Sequence, residues 1–291
     1  MQFAMFQGER VEAHPGLKGH CPLCMNATLA KCGEKILWHW AHRGRRHCDP
    51  WWENETDWHR AWKSRFPAAW REVVNFDAIT GEKHIADVKT DTGVVVEFQN
   101  SAMSADELRS REAFYGKMIW IVNGLPFIGQ FHVLERLPSP DWSGNDDIRF
   151  FPNRRHFTRR QLMFMRPSDD PNRKPGDLVR IHGGHEIEDA VRRTYWGHHL
   201  YDWVRPRSVW YDATRPVFLD FGGDGFWHLQ DYSNYGLQCV QLVAKAKVVR
   251  EHGGVFDTFD DFVFPPGPNR AEPTVRAVEP VDLLRDDDLP F

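Results

Sequence analysis

Apolar residues near the middle of the chain recur with a helical period. Four large side chains follow one another at intervals of four residues: Trp58, Trp62, Phe66 and Trp70. This spacing places them on one face of a helix, so residues 51–75 are predicted to be helical. Pro67 lies inside the stripe and lacks the amide hydrogen that a helix interior needs, which predicts a break at that point.

The next segment has the pattern of paired strands followed by a second helix. Residues 83–89 and 93–99 flank a short glycine-containing turn, which predicts two adjacent strands. Ser104 to Lys117 are predicted to be helical, with Ser104 as the N-cap and Glu107 at the capping-box position. The apolar run from Met118 to Val122 predicts a buried strand. The predicted order is therefore helix, strand, strand, helix, strand.

The second half of the chain has a weaker pattern. It begins with many proline, aspartate and arginine residues, which predict loops. Helices are predicted at Ala190–Tyr201 and Leu237–His252, within a mixed α+β segment. The sequence thus predicts four parts, which are a Cys/His-rich knuckle at residues 1–50, an α/β core at 51–137, an α+β accessory domain at 138–264 and a disordered acidic tail at 265–291.

The charge of the chain restricts what it can bind. The 291 residues carry a formal net charge of -4, so any surface for nucleic acid must be local. No segment approaches the roughly 18 consecutive apolar residues of a membrane span, and no signal peptide is predicted. We therefore expect a cytoplasmic protein that does not contact membranes.

Four of the five cysteines lie within the first fifty residues, beside several histidines. Cys21 and Cys24 form a C-x2-C turn, which presents two thiolates to one zinc ion. His42 and Cys48 are predicted to complete the tetrahedral site. His39 is the alternate ligand, because residues three apart on a strand point to opposite faces. The zinc is expected to be structural, since so short a segment has little core of its own.

A second group of polar residues lies on the predicted core. Glu97 and Gln99 are two apart on one strand and share a face, and Asp87 ends the strand before it. Glu55 and His59 are one turn apart on the preceding helix. Together they concentrate oxygen ligands for a hard divalent cation such as Mg²⁺ or Mn²⁺. Such an ion can activate water and polarise a phosphate, which makes phosphodiester hydrolysis the expected chemistry.

Several motifs of this chain occur together in one known family. They are Cys21-Pro-Leu-Cys24, His39-Trp-Ala-His42, Cys48-Asp-Pro-Trp51, Glu55-Thr-Asp-Trp-His59, Trp62-Lys63, His84-Ile-Ala-Asp87-Val, Glu97-Phe-Gln99-Asn-Ser101 and Met118-Ile-Trp-Ile-Val-Asn-Gly124. Over residues 15–125 the chain resembles the competence protein CoiA-like nuclease family, a branch of the PD-(D/E)XK superfamily. The resemblance implies a restriction-endonuclease-like mixed sheet flanked by helices, in the order helix, three strands, helix, strand. The additional strand is expected at Glu72–Ala78.

The resemblance also implies roles for the polar residues of the core. Asp87 and Glu97 would be the carboxylates that bind Mg²⁺ or Mn²⁺, and Glu55 would add a third ligand. Gln99 occupies the position of the usual lysine, and it cannot supply that lysine's positive charge near the attacking water. His59 would contact phosphate or transfer a proton.

The expected substrate is DNA. Lys63, Arg111 and Lys117 are predicted to contact it, and Lys63, Lys89 or Lys117 could also replace the missing lysine. The first hypothesis is a Mg²⁺- or Mn²⁺-dependent deoxyribonuclease involved in DNA processing, recombination or mobile-element biology. The alternative is a catalytically weak DNA-binding or recombination adaptor.

The end of the chain resembles the acidic tip of bacterial single-stranded-DNA-binding proteins. Aspartates there precede a hydrophobic residue, a proline and a terminal phenylalanine. Such a tip can place its last ring in an apolar pocket while a basic rim attracts the aspartates. The resemblance implies recruitment of the proteins that bind that tip, through Asp286, Asp287, Asp288, Leu289, Pro290 and Phe291.

Overall fold

The computed structural model describes residues 1–34, 37–44, 48–151, 162–232 and 236–256. Within these ranges the chain is a mixed α/β protein with three sheets and a few short helices. None of the described helices is both long enough and apolar enough to span a membrane. The predicted α/β class with flanking helices is confirmed at this level.

The first sheet is small and antiparallel, in the order β2-β1-β3-β4-β5. Its strands are β1 (Phe3–Phe6), β2 (Glu9–Glu12), β3 (Lys18–His20), β4 (Ala27–Lys31) and β5 (His39–His42). Among the described residues, its core cluster contains three buried apolar residues, Ala4, Ala13 and Trp40. Gly19 lies so close to this core that a Cβ atom would approach the Met5 carbonyl oxygen to 2.8 Å. A core of this size needs additional stabilisation, such as a metal.

The largest sheet begins with elements close to those predicted for the middle of the chain. They are α1 (Asp57–Ser64), β6 (Arg71–Phe76), β7 (Lys83–Lys89), β8 (Val95–Gln99), α2 (Ala105–Tyr115), β9 (Met118–Asn123) and β10 (Phe131–Arg136). β6, β7 and β8 pair antiparallel, and β9 pairs parallel to β8. The expected order of helix, three strands, helix and strand is therefore present, with β6 in the place of the additional strand.

The remaining described elements extend this sheet and add a third one. They are β11 (Arg149–Phe150), β12 (Met163–Met165), β13 (His182–Gly183), α3 (Glu188–Thr194), β14 (His198–Trp203), β15 (Val217–Asp220), β16 (Gly225–Asp231), β17 (Gln238–Ala244) and α4 (Lys245–Glu251). Short 3-10 turns lie at Ala68–Trp70, Leu125–Gln130, Ser143–Asp147, Pro167–Asp169, Gly184–Ile187 and Ser208–Tyr211. The large sheet has the order β10-β14-β17-β16-β15-β9-β8-β7-β6 among described residues. The large sheet thus contains strands from both sides of residue 137, so the predicted domain boundary there does not separate two sheets.

Local signals set the ends of α1 and α2. Thr56 caps α1 in a reciprocal capping box with His59, and α1 ends at Ser64, shortly before the predicted break at Pro67. The predicted helix over residues 51–75 is wrong at both ends, because residues 51–56 contain no helix and residues 71–75 belong to β6. Ser104 caps α2 by accepting the amide of Glu107 at 3.1 Å. The Glu107 carboxylate pairs with Arg111 instead of returning to the cap, so the predicted capping box on α2 is wrong.

The two helix predictions in the second half are wrong over about half of each range, where the structure has a strand. Residues 190–201 contain the end of α3 and the start of β14, separated by Gly197 with a φ of +85°. Residues 237–252 contain β17 followed by α4. β17 pairs with β16 and β14, which buries Cys239 and Val240, and a short apolar run fits either a helix or a strand.

A buried polar cluster joins α1 to β15 and α4. Asp220, at the end of β15, is fully buried. Its Oδ2 accepts hydrogen bonds from the indole nitrogens of Trp58 and Trp62, each at 2.9 Å, and its Oδ1 lies 2.6 Å from Lys245 Nζ. The carboxylate is thus fully partnered. This cluster fixes α1, which carries several residues of the site described next.

Candidate metal centre and carboxylate cavity

The Cys/His-rich segment brings four ligand groups together at one end of the first sheet. Cys21 and Cys24 lie in the turn between β3 and β4, His42 ends β5, and Cys48 lies beyond it. Their ligand atoms all lie within 4.8 Å of one another. Cys21 Sγ is 3.6 Å from Cys48 Sγ, and Cys24 Sγ is 3.3 Å from His42 Nε2. Tetrahedral zinc with Zn–S bonds of about 2.3 Å separates its ligands by roughly 3.8 Å, so the set fits a structural metal such as zinc.

The structure brings the four predicted ligands together, and the alternate histidine lies outside this group. His39 Nδ1 lies 2.8 Å from the Leu37 carbonyl oxygen, and His39 is not a member of the cluster. His39 and His42 point to opposite faces of β5, as expected for residues three apart. Only one of them can therefore face the thiols.

The electrostatics of the cluster favour a bound cation. Burial, followed by the proximity of Cys21, raises the pKa of the Cys48 thiol well above its usual value. Burial likewise raises the pKa of Cys21. Burial opposes ionisation of Cys24 as well, but hydrogen bonds from the Asn26 backbone and the other thiols lower its pKa overall. Three thiolates this close repel one another, and a divalent ion would remove that repulsion.

The second group lies where β7 and β8 separate. Counted from the turn, their backbone pairing ends at Val88 and Val96. Asp87 and Glu97 are the next residues along the two strands, on the side away from the turn. The amide of Asp87 donates to Glu97 Oε1 at 3.1 Å, and the amide of Phe98 donates to Asp87 Oδ2 at 2.9 Å. Side-chain carboxylates thus accept the hydrogen bonds that backbone carbonyls would accept in a continuous ladder. This local opening brings the two predicted metal carboxylates side by side.

A cavity of about 80 Å³ lies in front of this pair. Six carboxylates, two cationic side chains and the amino terminus of Met1 line it, so its formal charge is -3 with histidine neutral. The volume can hold several water-sized groups. The charged lining residues are Asp49, Glu53, Glu55, Glu72, Asp87, Glu97, Lys63 and Arg111.

The charge of Glu97 is only partly compensated. Glu97 Oε2 lies 3.0 Å from Arg111 Nη1. Burial, and then the charge of Asp87, raise the pKa of Glu97 to about 8 despite this guanidinium. Burial also raises the pKa of Asp87, although Lys63 and His59 act against the rise. The two carboxylates therefore resist being ionised together without a further cation.

Arg111 does not lie on a surface that could bind DNA. It is buried, and besides Glu97 it pairs with Glu107 and donates to the Trp51 carbonyl oxygen at 2.6 Å. Contact with a phosphate would break these bonds. Its burial and its partners argue against the predicted DNA contact by Arg111, whose guanidinium instead holds Glu97 Oε2.

Lys63 is likewise buried, with its ammonium group 2.6 Å from Glu55 Oε1 and 2.9 Å from Glu72 Oε1. Burial acts to lower its pKa, but these two carboxylates raise it overall, so the charge is permanent. Direct contact of Lys63 with DNA is excluded by this enclosure. Glu55 also accepts two hydrogen bonds from Arg60, at 3.0 and 2.7 Å. Both Glu55 oxygens are thus occupied by cations, which argues against its predicted place as a third metal ligand.

His59 lines the cavity, but its ring nitrogens are both occupied. Nε2 lies 3.1 Å from Glu53 Oε2, and Nδ1 lies 2.9 Å from Thr56 Oγ1. The Thr56 amide also points to Nδ1, so that nitrogen is an acceptor and Nε2 carries the proton. Direct proton transfer by His59 would require it to leave one of these partners.

The remaining predicted residues lie away from the carboxylate pair. Gln99 is buried, with its amide nitrogen 3.4 Å from the carbonyl and hydroxyl oxygens of Ser101, and it is not among the cavity residues. Lys117 is exposed and its Nζ lies 3.4 Å from the Thr92 carbonyl oxygen, so its predicted DNA contact stays a prediction. The C-terminal residues 286–291 lie outside the described residues.

Three acidic cavity residues were missed by sequence reasoning. Asp49 follows Cys48 of the Cys/His cluster, and Glu53 lies four residues further on. Glu72 has a φ of +47°, which is rare for a residue other than glycine. Its carboxylate accepts the Gln2 amide at 2.8 Å from both oxygens, which helps to hold this conformation. The position of Asp49 next to Cys48 was the one available signal.

Comparison with known proteins leaves the site without a precedent. No protein-family model matches the chain, and neither a curated protein nor a solved structure matches it. The function is therefore argued from the geometry of the site and from the motifs in the sequence.

Proposed function

We propose that the protein is a metal-dependent DNA nuclease of the PD-(D/E)XK type, with Asp87 and Glu97 as its metal carboxylates. The observation that carries the proposal is the pairing of these side chains in a cavity whose carboxylates exceed its cations. Asp87 Oδ1 accepts no hydrogen bond from the part of the chain that the structure describes. An oxygen-only donor set with a free carboxylate oxygen suits Mg²⁺ or Mn²⁺.

A divalent ion held there would polarise a phosphodiester and lower the pKa of a bound water. The residues of the chain prepare the site for this chemistry. Arg111 orients Glu97, and the hydrogen bond from the Phe98 amide orients Asp87. Lys63 adds a fixed positive charge that favours the ionised form of Asp87, the form that binds metal.

The charge of the cavity also predicts a strict requirement for metal. A phosphate entering a cavity with a formal charge of -3 is repelled unless a cation has bound first. The exposed Lys117 is then the predicted contact to DNA at the surface. Zinc in the Cys/His cluster is proposed to be structural, because all four of its ligand positions come from the protein.

The proposal is tested by DNA cleavage with purified, zinc-loaded protein and added Mg²⁺ or Mn²⁺. Single-stranded, double-stranded, linear and circular substrates would reveal the preferred form. Asp87→Ala should abolish cleavage, whereas Asp106→Ala should not, because the Asp106 side chain on α2 is 92% exposed. Absence of cleavage on every substrate, together with absence of Mn²⁺ binding, would refute the nuclease.

The adaptor hypothesis has one observation in its favour, which is that Gln99 lies outside the cavity and supplies no charge to it. It predicts DNA binding without cleavage. It also predicts that a peptide of residues 286–291 binds partners of single-stranded-DNA-binding proteins and that deleting Phe291 abolishes this binding. Cleavage that depends on Asp87 would rule out this hypothesis as the main function.

A further inference from the structure

One short segment connects the Cys/His cluster to the carboxylate cavity. Residues 48–53, here called the connecting loop, begin at the zinc ligand Cys48 and contain no helix or strand. Four of the six residues line the cavity: Asp49, Trp51, Trp52 and Glu53. The loop therefore forms part of the cavity wall while one of its ends belongs to the metal cluster.

Asp49 attaches the loop to β7. Its carboxylate accepts the Ile85 amide at 2.9 Å and lies 2.8 Å from His84 Nδ1. It also accepts the amide of Trp51 at 3.0 Å, which closes the turn of the loop. Ile85 is two residues before Asp87 on the same strand, so the loop is attached directly beside the carboxylate pair.

Trp51 attaches the loop to α2 and, through it, to Glu97. Its ring stacks on His84 with centroids 3.2 Å apart and planes 12° from parallel. Its carbonyl oxygen accepts Arg111 Nη2 at 2.6 Å, while Arg111 Nη1 holds Glu97 Oε2 at 3.0 Å. A shift of Trp51 would therefore release one of the bonds that orient the Arg111 guanidinium.

Glu53 attaches the far end of the loop to β8 and α1. It accepts the Asn100 amide at 3.2 Å and also the Ser101 amide, just after β8 ends. It pairs with His59 of α1 at 3.1 Å. The three attachments thus surround the Asp87–Glu97 pair, and all belong to a segment without regular secondary structure of its own.

We infer that metal in the Cys/His cluster positions the connecting loop and thereby sets the affinity of Asp87 and Glu97 for their divalent ion. Ordering residues outside regular structure costs conformational entropy, so a loop of this kind depends on where its ends are fixed. A zinc bond at Cys48 fixes one end. The inference rests on the proposed function, since it concerns the metal that the nuclease would use.

The first experiment compares the zinc-loaded full chain with the zinc-stripped one. Hydrogen exchange of the Ile85, Asn100 and Ser101 amides should become at least about tenfold faster without zinc, since they donate to the loop carboxylates. Mn²⁺ affinity, measured by electron paramagnetic resonance, should fall by about tenfold or more, as when residues supporting a metal ligand are lost. Amides of β17 should not change.

A variant separates this coupling from general unfolding. Asp49→Ala keeps all four zinc ligands but removes the link to β7, so zinc content should stay unchanged while Ile85 exchange speeds up and Mn²⁺ affinity falls. Arg192→Ala on α3, with a side chain 74% exposed, is the matched control. It should leave zinc content, Ile85 exchange and Mn²⁺ affinity unchanged. If stripping zinc also exposes the amides of β17, the loss of zinc has caused general unfolding. The coupling is then judged from Asp49→Ala, which keeps the zinc ligands.

The outcomes distinguish this inference from the proposed function. Unchanged amide exchange and unchanged Mn²⁺ affinity in both Asp49→Ala and the zinc-stripped protein would overturn the inference and leave the nuclease intact. Zinc-loaded wild type that neither binds Mn²⁺ nor cleaves DNA would overturn both the proposed function and the coupling to metal affinity.

Discussion

The strongest prediction concerns the charge of Glu97 in protein that lacks a divalent ion at this site. Glu97 is 4% exposed and faces Asp87. Burial, followed by the charge of Asp87, raises its pKa to about 8 from an ordinary 4.5. Glu97→Gln replaces the carboxyl with an amide of the same shape that cannot ionise. The variant therefore mimics the protonated wild type.

The direction of the effect follows from the raised pKa. The pKa of Glu97 is about 8 in the folded state and 4.5 in the unfolded state, so the folded state holds this proton more tightly. The resulting contribution to stability is complete below pH 4.5 and is lost as the pH rises to about 8. Each pH unit in that interval corresponds to about 1.4 kcal/mol. Between pH 5.5 and 8.5 the stability of Glu97→Gln relative to wild type should therefore increase by about 3 kcal/mol.

Urea unfolding followed by tryptophan fluorescence, without added divalent ions, measures this difference. Glu251→Gln is the control, because this carboxylate on α4 is 56% exposed. Added Mn²⁺ should stabilise wild type and leave Glu97→Gln unaffected, since a ligand that binds only the folded state raises stability. A difference between wild type and Glu97→Gln that stays constant from pH 5.5 to 8.5 would refute the reasoning about the carboxylate pair.

Three further variants test the rest of the site and its support. Lys63→Met leaves the buried Glu72 without its lysine partner and Glu55 with Arg60 alone. It should lower the free energy of unfolding in urea by about 3 kcal/mol or more, whereas exposed Lys117→Met should change it by less than about 0.5 kcal/mol. Cys24→Ala should lose bound zinc in a colorimetric metal assay, and Cys32→Ala should keep it, because only Cys24 belongs to the cluster. Asp220→Ala leaves two buried indoles and a lysine unpartnered, so calorimetry should show a fall in stability of about 3 kcal/mol without loss of zinc.

The sequence predicted the central elements well because their signals are local. The strand at 83–89, the helix capped by Ser104 and the strand from Met118 each follow from side-chain periodicity and capping within a few residues. The strand and helix at 237–252 were merged because the apolar run of β17 has no clear period. Pairing with strands distant in the chain decided its structure, and a single sequence does not contain that information.

The site was predictable to a similar extent. Asp87 and Glu97 were found because a tight antiparallel pair brings together residues at equal distances from the turn. Asp49 and Glu53 were missed because they lie in a segment without periodicity and reach the cavity through contacts 36 and 47 residues away in the chain. Arg111 was identified as important, but its burial against Glu97 depends on how α2 packs on the sheet. Spacing along α2 alone does not reveal that.

The position of Gln99 decides how to interpret a glutamine where the nuclease pattern that the chain resembles has a lysine. Gln99 is buried beside Ser101 and does not line the cavity, whereas the Lys63 ammonium does and favours the ionised form of Asp87. Restoring a lysine by Gln99→Lys would thus bury a second ammonium where an amide now fits. We expect a loss of stability of about 2 kcal/mol and no gain in cleavage.

Lys63→Gln is the complementary variant, and it should abolish metal-dependent cleavage if Lys63 supplies the positive charge. Cleavage rates of the two single variants and of the double variant, measured at saturating Mn²⁺, separate the possibilities. Two results would show that the chemistry needs its cation at position 99. One is cleavage at least tenfold faster in Gln99→Lys than in wild type, and the other is restored cleavage when Gln99→Lys is added to Lys63→Gln. Such a result would contradict the assignment of that role to Lys63.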